Sequence, residues 1–267
     1  MNAVKGRVIV SRAGGERVRD PYENLALEEA LFVQNDGFMV RVWENSESVI
    51  IGRAQIASFE TDVDYCKSHG VPIVRRFTAG GTVYNGPGNV NWSIFVGRSV
   101  MERPLRYESG PRAIFASASR PLVATLATLG VDAWLDPPNR IVTKNGKISG
   151  MAAYVSKKGF LCHGTLLVDA DLQMVKALTT PSPESLERRY TRSRDVRTAN
   201  AQVDVDSFIH TLVRTLGDET GLKLEPAEAD ARETALMEEL LARRYRDDAW
   251  NLGDPFQSKR DVINKVR

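Results

Sequence analysis

The feature that most limits how this chain can fold is the dipeptide Asn145-Gly146, set between RIVTK and KISGMAAYV. Asn-Gly tolerates the positive φ that a two-residue hairpin turn demands, so the flanking runs are expected to lie antiparallel and side by side. A second turn at Ser156-Lys157-Lys158-Gly159 sends the chain back as FLCHGTLLV, a third strand of the same sheet. Upstream, Val90, Trp92, Ile94 and Val96 alternate with Asn91, Ser93 and Phe95, the period of a strand with one face fully buried.

Other segments fill in around these strands. FMVRVW and SVIIG read as two strands with Asn45-Ser46 between them as a turn, and they are predicted to pair with each other. PIVRRF and VDAWL are further strands. In DPYENLALEEALF, Asp20 is a cap, Pro21 the first helical residue and Glu23 the partner of a capping box, which predicts a helix over Pro21–Phe32. DVDYCKSHG is a short helix stopped by Gly70. The stretch Pro111–Leu129 is helical in pattern and ends at Gly130, with Pro121 expected to kink or divide it. From Asp171 onward DLQMVKAL, VDSFIHTLVRTLG and EADARETALMEELLARRYR are helical, and the basic stretch ERRYTRSRDVRTANAQ reads as a surface loop. Strands first and helices last make an α+β fold, with mixed and antiparallel sheets flanked by helices.

Composition removes several classes of function. Apolar residues at 42% and charged residues at 26% are those of a globular chain, and a net charge of +2 gives no nucleic-acid footprint. MNAVKGRVIVSRAGGERVRD lacks the apolar stretch of a signal peptide, and no run approaches the roughly 20 apolar residues of a membrane helix. A cytoplasmic address with no membrane partner is expected. Cys66 and Cys162 do not make a disulfide framework, and His69, His163 and His210 are too scattered for a protein-built metal site.

Three features point to chemistry. The stretch RRFTAGGTVYNGPGN, residues 75–89, combines two arginines that suit a carboxylate or phosphate with glycines that let backbone N–H groups approach a ligand. It is neither a P-loop nor a GxGxxG turn, and taken alone it is also the pattern of a plain tight turn. Lys147 emerges from the Asn-Gly hairpin into a run of small residues, Ser149, Gly150, Ala152 and Ala153, which leaves room for a ligand; alone it is also a solvated edge lysine. Cys162, His163 and Thr165 share the next strand, where a packed thiol and a structural histidine are the plain alternatives.

The order NLALEEAL, SVIIGRAQ, RRFTAGGTVYNGPGN, NGKISG and CHGTLL resembles the lipoate-protein ligase A family, within the biotin/lipoate ligase superfamily, from about residue 20 to 197. The resemblance implies a fold related to biotin ligases and class II aminoacyl-tRNA synthetases. It implies an enzyme that activates lipoate with ATP and Mg2+ to lipoyl-AMP and transfers the lipoyl group to a lysine of a lipoyl-domain or H-protein-like acceptor. Residue by residue it makes Lys147 the catalytic contact to the mixed anhydride. Gly52, Arg53, Gln55, Arg75, Thr78, Ala79, Gly80, Gly81, His163, Gly164 and Thr165 become the lipoyl-adenylate and lipoate site, and Val83, Tyr84, Asn85, Asn89 and Asn139 the nucleotide end.

Departures from the family pattern lie at Ala79, at Asn85-Gly86 and at Asn139-Arg140, where the family carries Asn-Asp. One catalytic domain over residues 1–251 is expected, with a polar tail at 252–267 and no separate accessory C-terminal domain; longer family members have one, and a separate polypeptide is a candidate to supply it. Three rival readings stand beside the ligase. An octanoyl or lipoyl transferase of the same fold would use a cysteine, and Cys162 is the one near the motifs. A biotin ligase would need a GRGRxG-type loop, which is missing. A non-catalytic lipoyl-binding homologue would fit the Ala79 and Arg140 substitutions.

Overall fold

The structure is a computed structural model that describes residues 5–11, 20–101, 110–174 and 189–256. The elements are β1 (Lys5–Ser11), α1 (Pro21–Gln34), β2 (Phe38–Glu44), β3 (Ser48–Ile51), α2 (Ala57–Glu60), α3 (Val63–Ser68), β4 (Ile73–Arg75), β5 (Val83–Asn85), β6 (Asn89–Gly97), α4 (Arg98–Met101) and α5 (Pro111–Thr128). They continue as β7 (Trp134–Asp136), β8 (Arg140–Thr143), β9 (Gly146–Ser156), β10 (Gly159–Leu167), α6 (Val205–Thr220), β11 (Lys223–Pro226), α7 (Ala231–Leu240), a π-helical turn at Leu241–Tyr245, and α8 (Asp248–Leu252).

Eight strands form one sheet in the order β11-β1-β2-β6-β10-β9-β8-β7, and β4-β3-β5 form a second, smaller one. β8 and β9 are antiparallel neighbours as expected, with one register shift between Ile141 and Val142. The turn between them, however, is Lys144-Asn145, enclosed by the paired Thr143 and Gly146, so that only Gly146, at φ +143°, takes a positive φ. The SKKG turn joins β9 to β10 in full antiparallel register.

The centre of the large sheet is buried on both faces. On one side Trp92 and Ile94 of β6 and Phe160 and Cys162 of β10 pack with Ile114, Ala118, Leu122 and Leu126 of α5 and with Phe208 and Leu212 of α6. Each such large apolar side chain contributes about 1.5–3 kcal/mol when buried. On the other side Met39, Phe95 and Leu161 meet Leu31 and Phe32 of α1, and Phe32 and Phe77 contact the edge of the Tyr154 ring. All nine residues of β6 are therefore buried, not one face only as its alternation suggests.

Several expectations change. FMVRVW and SVIIG do not pair: β2 lies between β1 and β6, while β3 belongs to the small sheet. Both edges of β2 are already taken. Asn45 is a tie between sheets and helix, since its amide donates to Asn85 Oδ1 at 3.0 Å and its oxygen accepts from Asn24 at 3.0 Å. Pro121 does not divide α5, because Ile114 and Ala118 before it and Leu122 and Leu126 after it press the same face onto the sheet. The π-turn and the short β11 were not foreseen, and β11 runs parallel to β1.

Asp20 caps α1 as expected, but the capping box expected with Glu23 is not formed: the Glu23 carboxylate lies toward Arg246, 3.8 Å away. Asp20 accepts from the N–H groups of Tyr22 and Glu23, and Gly70 takes φ +67° after α3. A complete capping box closes the start of α7, where Asp230 and Glu233 answer each other. Of DLQMVKAL, residues 172–174 are helical, with Asp171 before them accepting from the N–H groups of Gln173 and Met174, and 175–178 lie outside the described residues, as do 257–267 of the polar tail.

Candidate active site

Two cavities of about 400 Å³ and 560 Å³ share a wall on the α1 side of the large sheet. The first runs from the apolar side chains of Leu25, Trp43 and Ile50 to Asn139 and Arg140. The second lies over Tyr84, Leu167 and Leu172. Lys147, Gly150, Thr165 and Arg194 line both.

Lys147 leaves the hairpin at the start of β9, and its backbone is clamped by bonds to Arg197 O at 2.9 Å and from Ala199 N at 2.9 Å. Its ammonium lies over Gly150, so close that a Cβ there would stand 2.8 Å from Nζ. Burial, then the charges of Arg140 and Arg76, push the pKa of Lys147 down. Arg76, Arg140, Arg192 and Arg194 line the first cavity with it, and among its described lining residues there is no carboxylate. Such a concentration of positive charge is a preformed receptor for an anion.

The two arginines before the glycines have opposite fates. Arg75 faces away from the cavity and donates to the carbonyls of Gln55 at 2.5 Å, Trp250 at 2.6 Å and Gly253 at 2.9 Å. Arg76 lines the cavity and donates to the carbonyls of Ala79 at 2.8 Å and Gly81 at 2.9 Å. Burial lowers the pKa of each to about 10. Arg75, predicted as a wall of the site, thus braces it from behind, and Arg76 takes the wall position. Gly80 sits at φ +106°, and a Cβ on it would be 2.7 Å from Arg76 Nη2.

His163 is buried between two partners, with Nδ1 2.8 Å from Glu28 Oε1 and Nε2 2.8 Å from Thr78 Oγ1. Burial opposes the charge on Glu28, but His163, Ser93 and Arg41 together outweigh it and hold the carboxyl below the usual range. Gly164 and Thr165 follow on the strand and line the first cavity.

The stretch predicted as a surface loop is a wall. Thr191 N donates to Ala54 O at 2.9 Å, and Ser193 Oγ accepts from Thr82 N at 2.9 Å and from Gln55 Nε2 at 3.1 Å. Gln55 Oε1 also accepts from Gly52 N at 2.7 Å and Thr82 Oγ1 at 3.0 Å. This knot ties residues 191–196 across the glycine loop. The Arg-Ser-Arg run at 192–194 was the available signal, because paired cations close to a small hydroxyl residue suit a phosphate as well as they suit solvent.

The remaining predicted residues divide into cavity lining and support. Val83 lines both cavities, Tyr84 the second and Asn139 the first, with Asn139 Nδ2 donating to Met151 O at 2.6 Å. Asn85 and Asn89 turn inward, to Asn45 and to Tyr84 O respectively. Gly52, Arg53, Gln55, Thr78 and Ala79 lie behind the lining: a Cβ on Gly52 would meet Gly80 O at 2.1 Å, and Arg53 N donates to Thr78 O at 2.8 Å. Arg140 lines the cavity while paired with Asp136 at 2.6 Å. Cys162 faces the opposite side of the sheet, wholly buried, and burial raises its thiol pKa far above the ordinary value. Among the described residues no three His, Cys, Asp or Glu side chains gather as a metal site, and Asp195 is the one carboxylate lining the second cavity.

Comparison with known proteins agrees with this geometry. Residues 20–217 match the family described as lipoyl protein ligase A/B catalytic domain. The lipoate-protein ligase A subunit 1 of Thermoplasma acidophilum is 29% identical over 247 residues, 86% of this chain and 91% of that protein. A structure of a bi-partite lipoate protein ligase and its E2 lipoyl domain from Thermoplasma acidophilum superposes with TM-score 0.78 at 26% identity, covering 94% of this chain and 97% of the other. A lipoate-protein ligase A bound with ATP gives TM-score 0.78 at 26% identity over 93% and 99%.

Proposed function

The chain belongs to the lipoyl protein ligase A/B catalytic domain family, and from that premise we propose that it activates lipoate with ATP and passes the lipoyl group to a lysine of an acceptor protein. The observation that carries the reading is the position of Lys147, on the wall shared by two cavities, one with an apolar end and both ringed by cations.

In the first step a lipoate carboxylate oxygen attacks the α-phosphorus of ATP, the bond to the departing pyrophosphate breaks, and lipoyl-AMP forms. Two anions must approach, and the fixed charges of Lys147, Arg76 and Arg140 lower that cost as negative charge gathers on the phosphoryl oxygens. Leu25, Trp43 and Ile50 receive the lipoyl chain and keep water from the anhydride. Val83, Tyr84 and Asn139 serve the nucleotide side, with Arg194 reaching from the 191–196 loop. In the second step the acceptor lysine, as a free amine, attacks the acyl carbon, the bond to AMP breaks, and the amide forms. Lys147 stabilises the developing oxyanion and is not itself acylated.

Among the described residues lining the second cavity Asp195 is the one carboxylate, which together with the nucleotide's own phosphates would be the group to hold Mg2+. Mg2+ is proposed to enter with the nucleotide, and no step above rests on it. The transferase reading needs a cysteine at the reacting carbon, and Cys162 faces the far side of the sheet. The acceptor is a lipoyl domain or H-protein-like protein. The bi-partite organisation of the Thermoplasma ligase supports a separate accessory polypeptide for this chain. Buried free thiols at Cys66 and Cys162 fit the reducing cytoplasm.

Incubation with a lipoyl domain, lipoate, ATP and magnesium tests the reading by mass spectrometry. One lipoyl mass gained by the acceptor, absent with Lys147→Ala, is expected. Acylation from an acyl-carrier donor without ATP would overturn it.

A further inference from the structure

A hydrogen-bonded chain runs from the buried face of α1 to the cavity wall, and no step of acyl transfer uses its first member. Glu28 Oε1 accepts from Ser93 Oγ at 2.5 Å and is 2.8 Å from His163 Nδ1. His163 Nε2 is 2.8 Å from Thr78 Oγ1, which accepts from Arg76 Nε at 3.1 Å. Arg76 then holds the carbonyls of Ala79 and Gly81. Glu28 is wholly buried, and so are Thr78 and Ser93.

Donor and acceptor counting fixes the protons. An ionised carboxylate only accepts, so Nδ1 of His163 carries hydrogen. Thr78 Oγ1 already receives the Arg76 N–H, and its own O–H points usefully only at Nε2, provided that nitrogen is bare. A cationic His163 would send a second N–H at Thr78 and leave the threonine hydrogen without an acceptor in a dry place, at a cost.

We infer that Glu28 is a positioning residue: it holds His163 as the neutral Nδ1–H tautomer and, through the Thr78 hydroxyl, sets the plane of Arg76 and with it the Ala79–Gly81 wall. The kinetic consequence rests on the ligase reading; the tautomer does not. Imidazole nitrogen NMR of the full chain is expected to show His163 with a bare Nε2 and a protonated Nδ1. An Nε2–H form or an imidazolium at neutral pH overturns the inference. Glu28→Gln, which can donate as well as accept, is expected to mix the tautomers and raise the KM for lipoate roughly tenfold with a smaller change in kcat. Thr78→Val should raise KM alike while leaving the His163 tautomer fixed, and Thr78→Ser should restore it. Wild-type KM in Thr78→Val sinks the proposal even if Glu28→Gln fails to fold. Loss of the ligase reading with the tautomer intact would leave the positioning chain standing.

Discussion

Cys162 and His163 are adjacent on β10 and face opposite sides of the eight-stranded sheet. Cys162 joins the apolar layer under α5 and α6, while His163 joins Glu28, Thr78 and the cavity. The same parity separates Trp92 from Ser93 on β6. At these four positions alternate residues thus serve the apolar layer under α5 and α6 or the cavity side, and substitutions there should sort by parity, not by distance along the chain.

The sharpest break is expected at Lys147. Lys147→Ala should lower pyrophosphate release about 10²–10³-fold with little change in melting temperature. The native lysine should also show a pH signature. Its folded pKa is lowered, so the unfolded chain holds the extra proton between that value and the ordinary one; stability rises with pH across this window while turnover falls as the ammonium is lost. A turnover that climbs through the same window would contradict the electrostatic role.

Leu122→Ala on the apolar side should do the reverse, costing about 2–5 kcal/mol in denaturant unfolding while KM for lipoate stays put in the folded fraction. A KM shift would mean that the two faces are coupled. Gly150→Ala, which pushes a methyl against the Lys147 ammonium, is expected to cost roughly tenfold in turnover with a minor effect on stability. Cys162→Ala should be mildest, about 1 kcal/mol of stability with full activity. Abolished transfer in that variant would return the transferase to contention.

Much of this arrangement was legible in the residues. The hairpin around Asn145-Gly146, the alternation through Trp92, the Asp20 cap and the ordered motifs around Lys147 and His163 each carry local information, and local rules read them. The rest depends on contacts between distant segments. Nothing local tells FMVRVW that both its edges will be occupied, and Pro121 stays in its helix because of apolar residues on both flanks. Arg75 and Arg76 are indistinguishable as letters; Arg75 ends β4 and Arg76 follows it, so they point opposite ways, and the side that becomes the cavity is decided by β10 and the 191–196 loop. That loop, polar and basic, has the composition of solvent-facing chain and is held inward by Gln55, Ser193 and Thr82, whose pairing spans more than a hundred residues.

The bracing of Arg75 has a consequence for how the protein comes into being on the ribosome. Its guanidinium takes acceptors from Gln55 in the first quarter of the chain and from Trp250 and Gly253 near the far end. Until that last turn has emerged, a buried cation lacks half its partners, and the 52–55 turn beneath the glycine loop has no firm seat. A wall braced in this way is complete only once residues 250–253 have been made, later than β11 at 223–226, the last strand of the sheet.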